Sequence, residues 1–262
     1  MSAPPRHTPR PLIAPAGVAV AILTVPLIGL LQRAPWSSIV ERLTTDAVLD
    51  AFRVSLIVSV SAALACVVVG LPLAWVMARS SRRGIAALRV IVLLPMVLPP
   101  VVGGTALLFA LGRRGLFGEW LDRWFGITLP FTTAGAVVAA TFVAMPFFVT
   151  TVESALRDAG PDLDEAAATL GAGPWATFVH VTVPTVRPAI GAGLALSWAR
   201  ALGEFGATIT FAGSLGGRTR TLPVETFLAL ETDPESAIAI SVLLLAISLA
   251  VLVLLRGRWL RR

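Results

Sequence analysis

The chain has 262 residues, of which 56% are hydrophobic and 14% charged, with a formal charge of +6; a soluble domain carries about 25% charged residues, so this is the composition of a membrane protein. All 21 basic residues are arginine, which excludes a P-loop with its phosphate-holding lysine and every lysine Schiff base, so ATP hydrolysis is not expected from this chain itself. The lone cysteine, Cys66, and two distant histidines, His7 and His180, exclude a disulfide framework and a cysteine–histidine metal site.

A spanning helix needs about 20 mostly apolar residues, because the hydrocarbon core is about 30 Å thick and each helical residue rises about 1.5 Å. The first such stretch, 12–31, follows Arg6 and Arg10. It is longer than the apolar region of a signal peptide, and Gln32-Arg33-Ala34-Pro35 offers no small-x-small cleavage site, so a retained anchor is expected. Uncharged stretches follow at 54–77, 90–111, 132–151 and 237–255, and a sixth span is expected at 188–212 despite Arg200 and Glu204 within it. Prolines 72, 95, 99, 100 and 146 lie inside these spans. Each removes a backbone donor, which a membrane tolerates where protein or water satisfies the freed carbonyl, so 90–111 is expected to face protein or a pore. Gly103, Gly104, Gly191 and Gly193 suit close helix approach.

With six spans and the N-terminus inside, twelve arginines fall in cytoplasmic segments and eight in outer loops. That bias predicts both termini in the cytoplasm, and the placement between spans argues for membrane orientation rather than nucleic-acid binding. No internal repeat is evident, so a second subunit is expected.

The loop 153–187 is too polar to span and is predicted to form two short helices. Pro161 suits a first helical position, and Asp162, Asp164 and Glu165 place negative charge in the first turn, where the helix dipole favours it. Alanines 166 to 168 extend the helix and Gly171 ends it. Pro174 starts a second helix with Trp175, Phe178 and Val179 on one face, and Pro184 and Pro188 close the segment. The result is a compact elbow, either a docking element or an amphipathic loop on the headgroups. Glu165-Ala166-Ala167, then Gly171, then Val183-Pro184 resembles the EAA motif of ABC importer permeases, with valine at 183 where leucine is usual. The resemblance implies that Glu165, Ala166, Ala167, Gly171 and Pro184 belong to a coupling region that docks into an ATP-binding subunit.

Charges near mid-span cost about 2.5 to 3.5 kcal/mol on insertion scales and face protein or water. Arg200 and Glu204 lie one turn apart on a shared face, in the weaker order for an i,i+4 pair, which favours a tertiary partner over mutual neutralisation. Two readings stand: a buried structural pair, or a turn lining the translocation path or gate. Around them, Ala199 to Thr208 reads ARALGEFGAT, and Arg218 to Pro223 (RTRTLP), Ala229-Leu230-Glu231 and Leu98 to Gly104 (LPPVVGG) follow the pattern of molybdate ABC permeases, which 54–255 resembles. That implies a path or gate role for Arg200, Gly203, Glu204 and Gly206. Arg218 and Arg220, in an outer loop, suit attraction of an oxyanion or of an acidic face on a binding protein.

The expected architecture is therefore an all-α membrane protein with six transmembrane helices and the type I ABC importer permease fold. It comprises an N-terminal tail, first span and outer loop (1–53), a permease core (54–255) with the coupling loop 153–187, and a basic cytoplasmic tail (256–262). The resemblance implies a homodimer in the plasma membrane, partnered by lipid, ATP-binding cassette subunits and an extracytoplasmic molybdate-binding protein. No metal, cofactor or nucleic acid is expected in this chain, ATP being used by the partner. Sulfate, thiosulfate or tungstate is the alternative cargo, and an ion-coupled carrier acting alone is the distant alternative. An intramembrane enzyme is disfavoured because neither histidine lies at membrane depth and Cys66 lacks a charged neighbour.

Overall fold

The structure, a computed structural model, describes residues 10–80 and 84–259. Of the arginines behind the expected orientation, Arg6, Arg82, Arg83 and the side chains of Arg10 and of the tail 256–262 lie outside what is described. Among the described residues every regular element is helical. After a 3-10 turn at Arg10–Leu12 come α1 (Ile13–Gln32), α2 (Ile39–Leu43), α3 (Asp46–Arg79), α4 (Ile85–Val97), α5 (Pro100–Leu111), α6 (Gly118–Phe125) and α7 (Thr133–Asp158). Then follow α8 (Asp162–Thr169), α9 (Pro174–Thr177), a π turn (Phe178–Thr182), α10 (Val183–Leu202), α11 (Gly206–Phe211), α12 (Leu222–Thr232) and α13 (Pro234–Trp259).

Four helices, α1, α3, α7 and α13, are long and apolar enough to cross a bilayer, and α4 with α5 makes a fifth if that bent pair is one span. At 34 residues, α3 is about 51 Å long by its rise, longer than the roughly 30 Å hydrocarbon core. Pro72 and Pro146 sit inside α3 and α7 without ending them.

Two stretches expected to be single helices are broken. In 90–111, Leu98 adopts an extended conformation (ψ 136°) before Pro99, and α4 and α5 meet at a bend of 118°. The residue before a proline is driven out of the α region by the ring, and here two prolines follow in succession. In 188–212, α10 stops at Leu202 and α11 begins at Gly206, so the expected continuous sixth span is instead a helix, a turn and a short helix.

The centre is built by α3, α7 and α10, which share one core. Its seam is lined by small residues, Ala62, Cys66 and Ala74 of α3 and Ala136, Ala140 and Ala144 of α7, all fully buried. In lipid there is no hydrophobic gain from bringing helices together, so close van der Waals contact between small residues holds them. Phe148 fills the space left by two glycines: a Cβ on Gly70 would come within 2.8 Å of its ring, and one on Gly193 within 3.1 Å. A second cluster joins α5, α7 and α11 through Leu107, Ala139, Val143, Ala207 and Phe211. By contrast, α1 has no buried residue and packs only lightly on α13.

Candidate functional site

Two places gather the sequence-predicted residues: the elbow after α7, and the turn between α10 and α11.

The elbow begins where Gly160, at φ +66°, lets the chain leave α7. Helix α8 starts at Asp162, so Pro161 occupies the cap rather than the first helical position. The acidic residues Asp162, Asp164 and Glu165 do fill its first turn. Gly171 has φ +86°. Its N–H donates to the carbonyl of Ala168 (3.0 Å), and the next N–H, of Ala172, donates to Ala167 (3.0 Å). This is the paired closure of a helix C-terminus that a left-handed residue allows.

Asp164 fixes the elbow to the membrane helices. One carboxylate oxygen accepts from Arg79 Nε at the end of α3 (2.9 Å) and the other from Thr182 Oγ1 in the π turn (2.8 Å). Arg79 also donates to the Leu156 carbonyl of α7 (2.8 Å). On the far side of α8, Glu165 and Ala166 are exposed and Ala167 is half-buried. Leu170 is 88% and Trp175 75% exposed, so this face is apolar, small in the middle and flanked by the Glu165 carboxylate, which pairs with no cation among the described residues. Phe178, stacked on Trp175 at 5.7 Å, seats its edge against Trp75 of α3.

Pro184 and Pro188 do not close the elbow. From Pro174 to Leu202 the chain stays helical, with the π turn preceding Pro184 and Pro188 internal to α10. A widened turn accommodates a residue that cannot donate to the carbonyl four positions back. The elbow is therefore continuous with the core helix α10.

A second ionic cluster nearby escaped the sequence reading. Glu153, only 6% exposed, accepts from Arg89 Nη2 of α4 (2.6 Å) and from Arg157 Nε one turn on (2.9 Å). Arg157 also donates to the Met77 carbonyl of α3 (3.1 Å). The available signal was an acid at the end of an apolar run with an arginine four residues later.

The turn at 203–205 holds the other candidates. Gly203 caps α10, donating to the Ala199 carbonyl (3.2 Å). Glu204, 2% exposed, is not in a helix. One of its oxygens pairs with Arg200 Nη2 (2.6 Å) and the other accepts from the Ala207 N–H in the first turn of α11 (2.8 Å). The expectation of a tertiary partner is thus corrected: the two charges neutralise each other. The helix break brings the carboxylate back over Arg200 and gives it a second donor at a positive helix end. Arg200 is consequently not a bare cation.

Gly206 lies against Pro100, where an added Cβ would come within 2.6 Å of the proline Cβ; one on Gly104 would come within 2.9 Å of the Ala207 backbone. The Leu98 to Gly104 and Ala199 to Thr208 segments, read separately in sequence, are therefore one packed unit. Thr208 Oγ1 in α11 is buried and has no hydrogen-bond partner among the described residues.

The outer-loop arginines differ from one another. Arg220 donates to the Ser214 carbonyl (3.2 Å) and pairs with Glu225 (3.3 Å), which holds the loop closed. Arg218 is exposed, and among the described residues no acid pairs with it. The rest of that segment is structural: Thr219, Thr221 and Leu222 are buried, and the Leu222 N–H donates to Ser55 Oγ of α3 (2.7 Å).

Residues 70–262 match the family described as "binding-protein-dependent transport system inner membrane component". The chain is 44% identical over 245 residues to the molybdenum transport system permease protein ModB of Mycobacterium tuberculosis, covering 94% of this chain and 92% of that one. It is 38% identical over 235 residues to the sulfate transport system permease protein CysT of Escherichia coli, covering 88% and 84%. Among solved structures, a bacterial ABC transporter involved in import of the acidic polysaccharide alginate superposes with a TM-score of 0.77 at 18% identity, over 97% of this chain and 96% of that one.

Proposed function

From the premise that the chain belongs to the binding-protein-dependent transport system inner membrane component family, we propose that it is the permease subunit of an ATP-driven importer carrying molybdate across the plasma membrane. The observation that carries the cargo assignment is the 44% identity to a molybdenum permease along 94% of the chain. In this reading the core is 54–255, six spans leave both termini in the cytoplasm, and two copies enclose the path. The spans are α1, α3, the bent pair α4–α5, α7, α10–α11 and α13. Two features support counting the bent pair as one crossing. Arg89 of α4 is tied to Glu153 at the elbow end of α7, and Leu107 of α5 packs with Ala139 in its opposite half.

The elbow is the element through which work enters. A separate ATP-binding subunit seats against Glu165, Ala166, Ala167 and Gly171, where alanines let a partner backbone approach and the free carboxylate can accept a charge-assisted hydrogen bond. Because Asp164 ties α8 to α3 and to the π turn, and Pro184 lies within a continuous helix, displacement of the elbow moves α3 and α10 together. The 203–205 turn at the other end of α10, with Arg200, Gly203, Glu204 and Gly206, then shifts against Pro100 and gates the path. Arg218 faces the extracytoplasmic binding protein, and Arg220 shapes the loop that presents it.

Sulfate is the second reading, favoured by the 38% identity to the sulfate permease. Uptake into proteoliposomes holding the chain, its ATP-binding subunit and the binding protein distinguishes them. Molybdate accumulation that needs ATP and resists excess sulfate is expected. Uptake by the chain alone contradicts the importer assignment, and preferential accumulation of sulfate overturns the cargo.

A further inference from the structure

The segment between α5 and α7 carries an amphipathic helix that the transport reading does not use. In α6 and the residue before it, Phe117, Trp120, Trp124 and Phe125 recur at helical spacing and are 60%, 63%, 69% and 73% exposed. The opposite face holds Glu119, Asp122 and Arg123. Its charges are satisfied locally, Arg123 pairing with Glu119 (2.7 Å) and Arg113 with Asp122 (3.4 Å).

Helix α6 is fixed in place. The chain turns back after Leu111, with the Leu116 N–H donating to the Phe109 carbonyl (3.1 Å) and that of Phe117 to Ala110 (2.8 Å). Gly118 is buried so tightly that an added Cβ would come within 2.5 Å of the Leu111 carbonyl oxygen. The apolar face is thereby held beside the end of a membrane helix, continuous with Phe109 of α5, itself 75% exposed. The position across the membrane is also set. Helix α7 separates α6 from the elbow by 26 residues, about 39 Å of rise, so α6 lies at the face opposite the elbow.

We infer that α6 lies in the plane of the bilayer interface, its aromatic face seated at the headgroup and acyl boundary, and anchors the end of α5. Three observations select lipid over a protein partner. The patch extends the exposed apolar surface of a spanning helix. Two of its rings are tryptophan, whose flat amphipathic side chain favours headgroup depth. The polar face has paired its own charges, which leaves little for a partner's charges to recognise. Assignment to the outer leaflet rests on the orientation proposed above.

The test is a nitroxide scan of residue 117 and residues 119–125, one cysteine at a time, in the full chain with Cys66→Ala, reconstituted in phosphatidylcholine–phosphatidylglycerol vesicles. Collision with oxygen should peak at 117, 120 and 124, and collision with a water-soluble nickel chelate at 119, 122 and 123, with at least a threefold contrast between the faces. Equal access of the nickel chelate to both faces, or shielding of 120 and 124 from both probes, would overturn the anchor. Should those variants fail to fold, the unlabelled chain answers. Quenching by lipid brominated near the headgroup should drop in W120F/W124F, and quenching unchanged by the substitution overturns the proposal. In intact cells, an impermeant thiol reagent should label D122C; labelling only after permeabilisation overturns the outer-leaflet assignment and the orientation, while leaving the interfacial seat to the scan.

Discussion

At the elbow, each helix end is set by residues within a few positions of one another: Pro161 and Gly171 bound α8, Pro174 opens α9, and one aspartate ties the unit to α3. At the 203–205 turn the determinants come from distant sequence. Pro100 and Gly104 of α5 receive Gly206 and Ala207 of α11, about a hundred residues later. The first region exposes Glu165 and Ala166, and the second buries Glu204. On the proposed roles, the element that meets a partner is made of local signals and one largely buried ion pair, Arg79 with Asp164, whereas the one that passes force inside the membrane uses glycine contacts and a fully satisfied charge.

That contrast predicts different consequences of substitution. The largest effect is expected at Glu204. Replacing it with alanine leaves Arg200 unpaired in a low-dielectric site and removes the acceptor for the Ala207 N–H, a loss of about 3 kcal/mol. Thermal unfolding in detergent should show it, and R200A/E204A should recover part of the loss. Equal destabilisation of the double variant would mean that the carboxylate acts mainly through α11.

Ala166→Trp at the elbow should do the reverse. It should leave thermal stability within about 0.5 kcal/mol, as for an exposed position, while uptake per ATP hydrolysed in the assembled complex falls tenfold or more. Stability and coupling falling together would erase the distinction between the regions.

Asp164→Asn sharpens it further. The amide can still accept from Thr182 but loses the charge opposite Arg79, which should cost about 1 kcal/mol and lower coupling without abolishing it. Loss of uptake as complete as that of Ala166→Trp would place the clamp on a par with the docking face.

The smallest effect is expected outside both regions. The Ser236 hydroxyl and N–H, reinforced by Arg42, hold the Asp233 carboxyl below its ordinary range. A lowered folded-state value means that the contribution is fully present above the usual carboxylate pKa of about 3.9 and is lost as pH falls through the lowered value. Thermal unfolding should therefore distinguish the chain from Asp233→Asn at pH 6, with the gap closing below about pH 4. A gap that does not shrink at all as the pH is lowered below about 4 would show that the contact does not depend on charge.

The same contrast explains what the sequence disclosed. Stretches 54–77 and 237–255 fall inside α3 and α13, and 12–31 and 132–151 fall inside α1 and α7 but for their first residue, because a run of apolar residues specifies a spanning helix by itself. The acidic first turn of α8, its end at Gly171 and the start of α9 at Pro174 were legible for the same local reason, while Pro161 sits one position earlier than expected. The break at 203–205 was missed although Gly203, a poor helix former that caps α10, was a local signal for it; the packing of α11 on α5 and the second bond made by Glu204 complete the turn. Pro184 misled in the opposite direction, because the π turn that accommodates it follows from Phe178 packing on Trp75 and Thr182 bonding Asp164. The Glu153 cluster was missed because Arg89 lies 64 residues away in sequence.

The central claim is that work enters through the elbow from a separate ATPase. It is tested most directly by joining Ala166→Cys, in the Cys66→Ala chain, to a cysteine on the ATP-binding subunit within the reconstituted importer. The account predicts a disulfide between the two subunits, formed at different rates with and without ATP, and an arrest of molybdate uptake that a reductant reverses. No cross-link at position 166 in a complex that transports, or full uptake with the link in place, would contradict it.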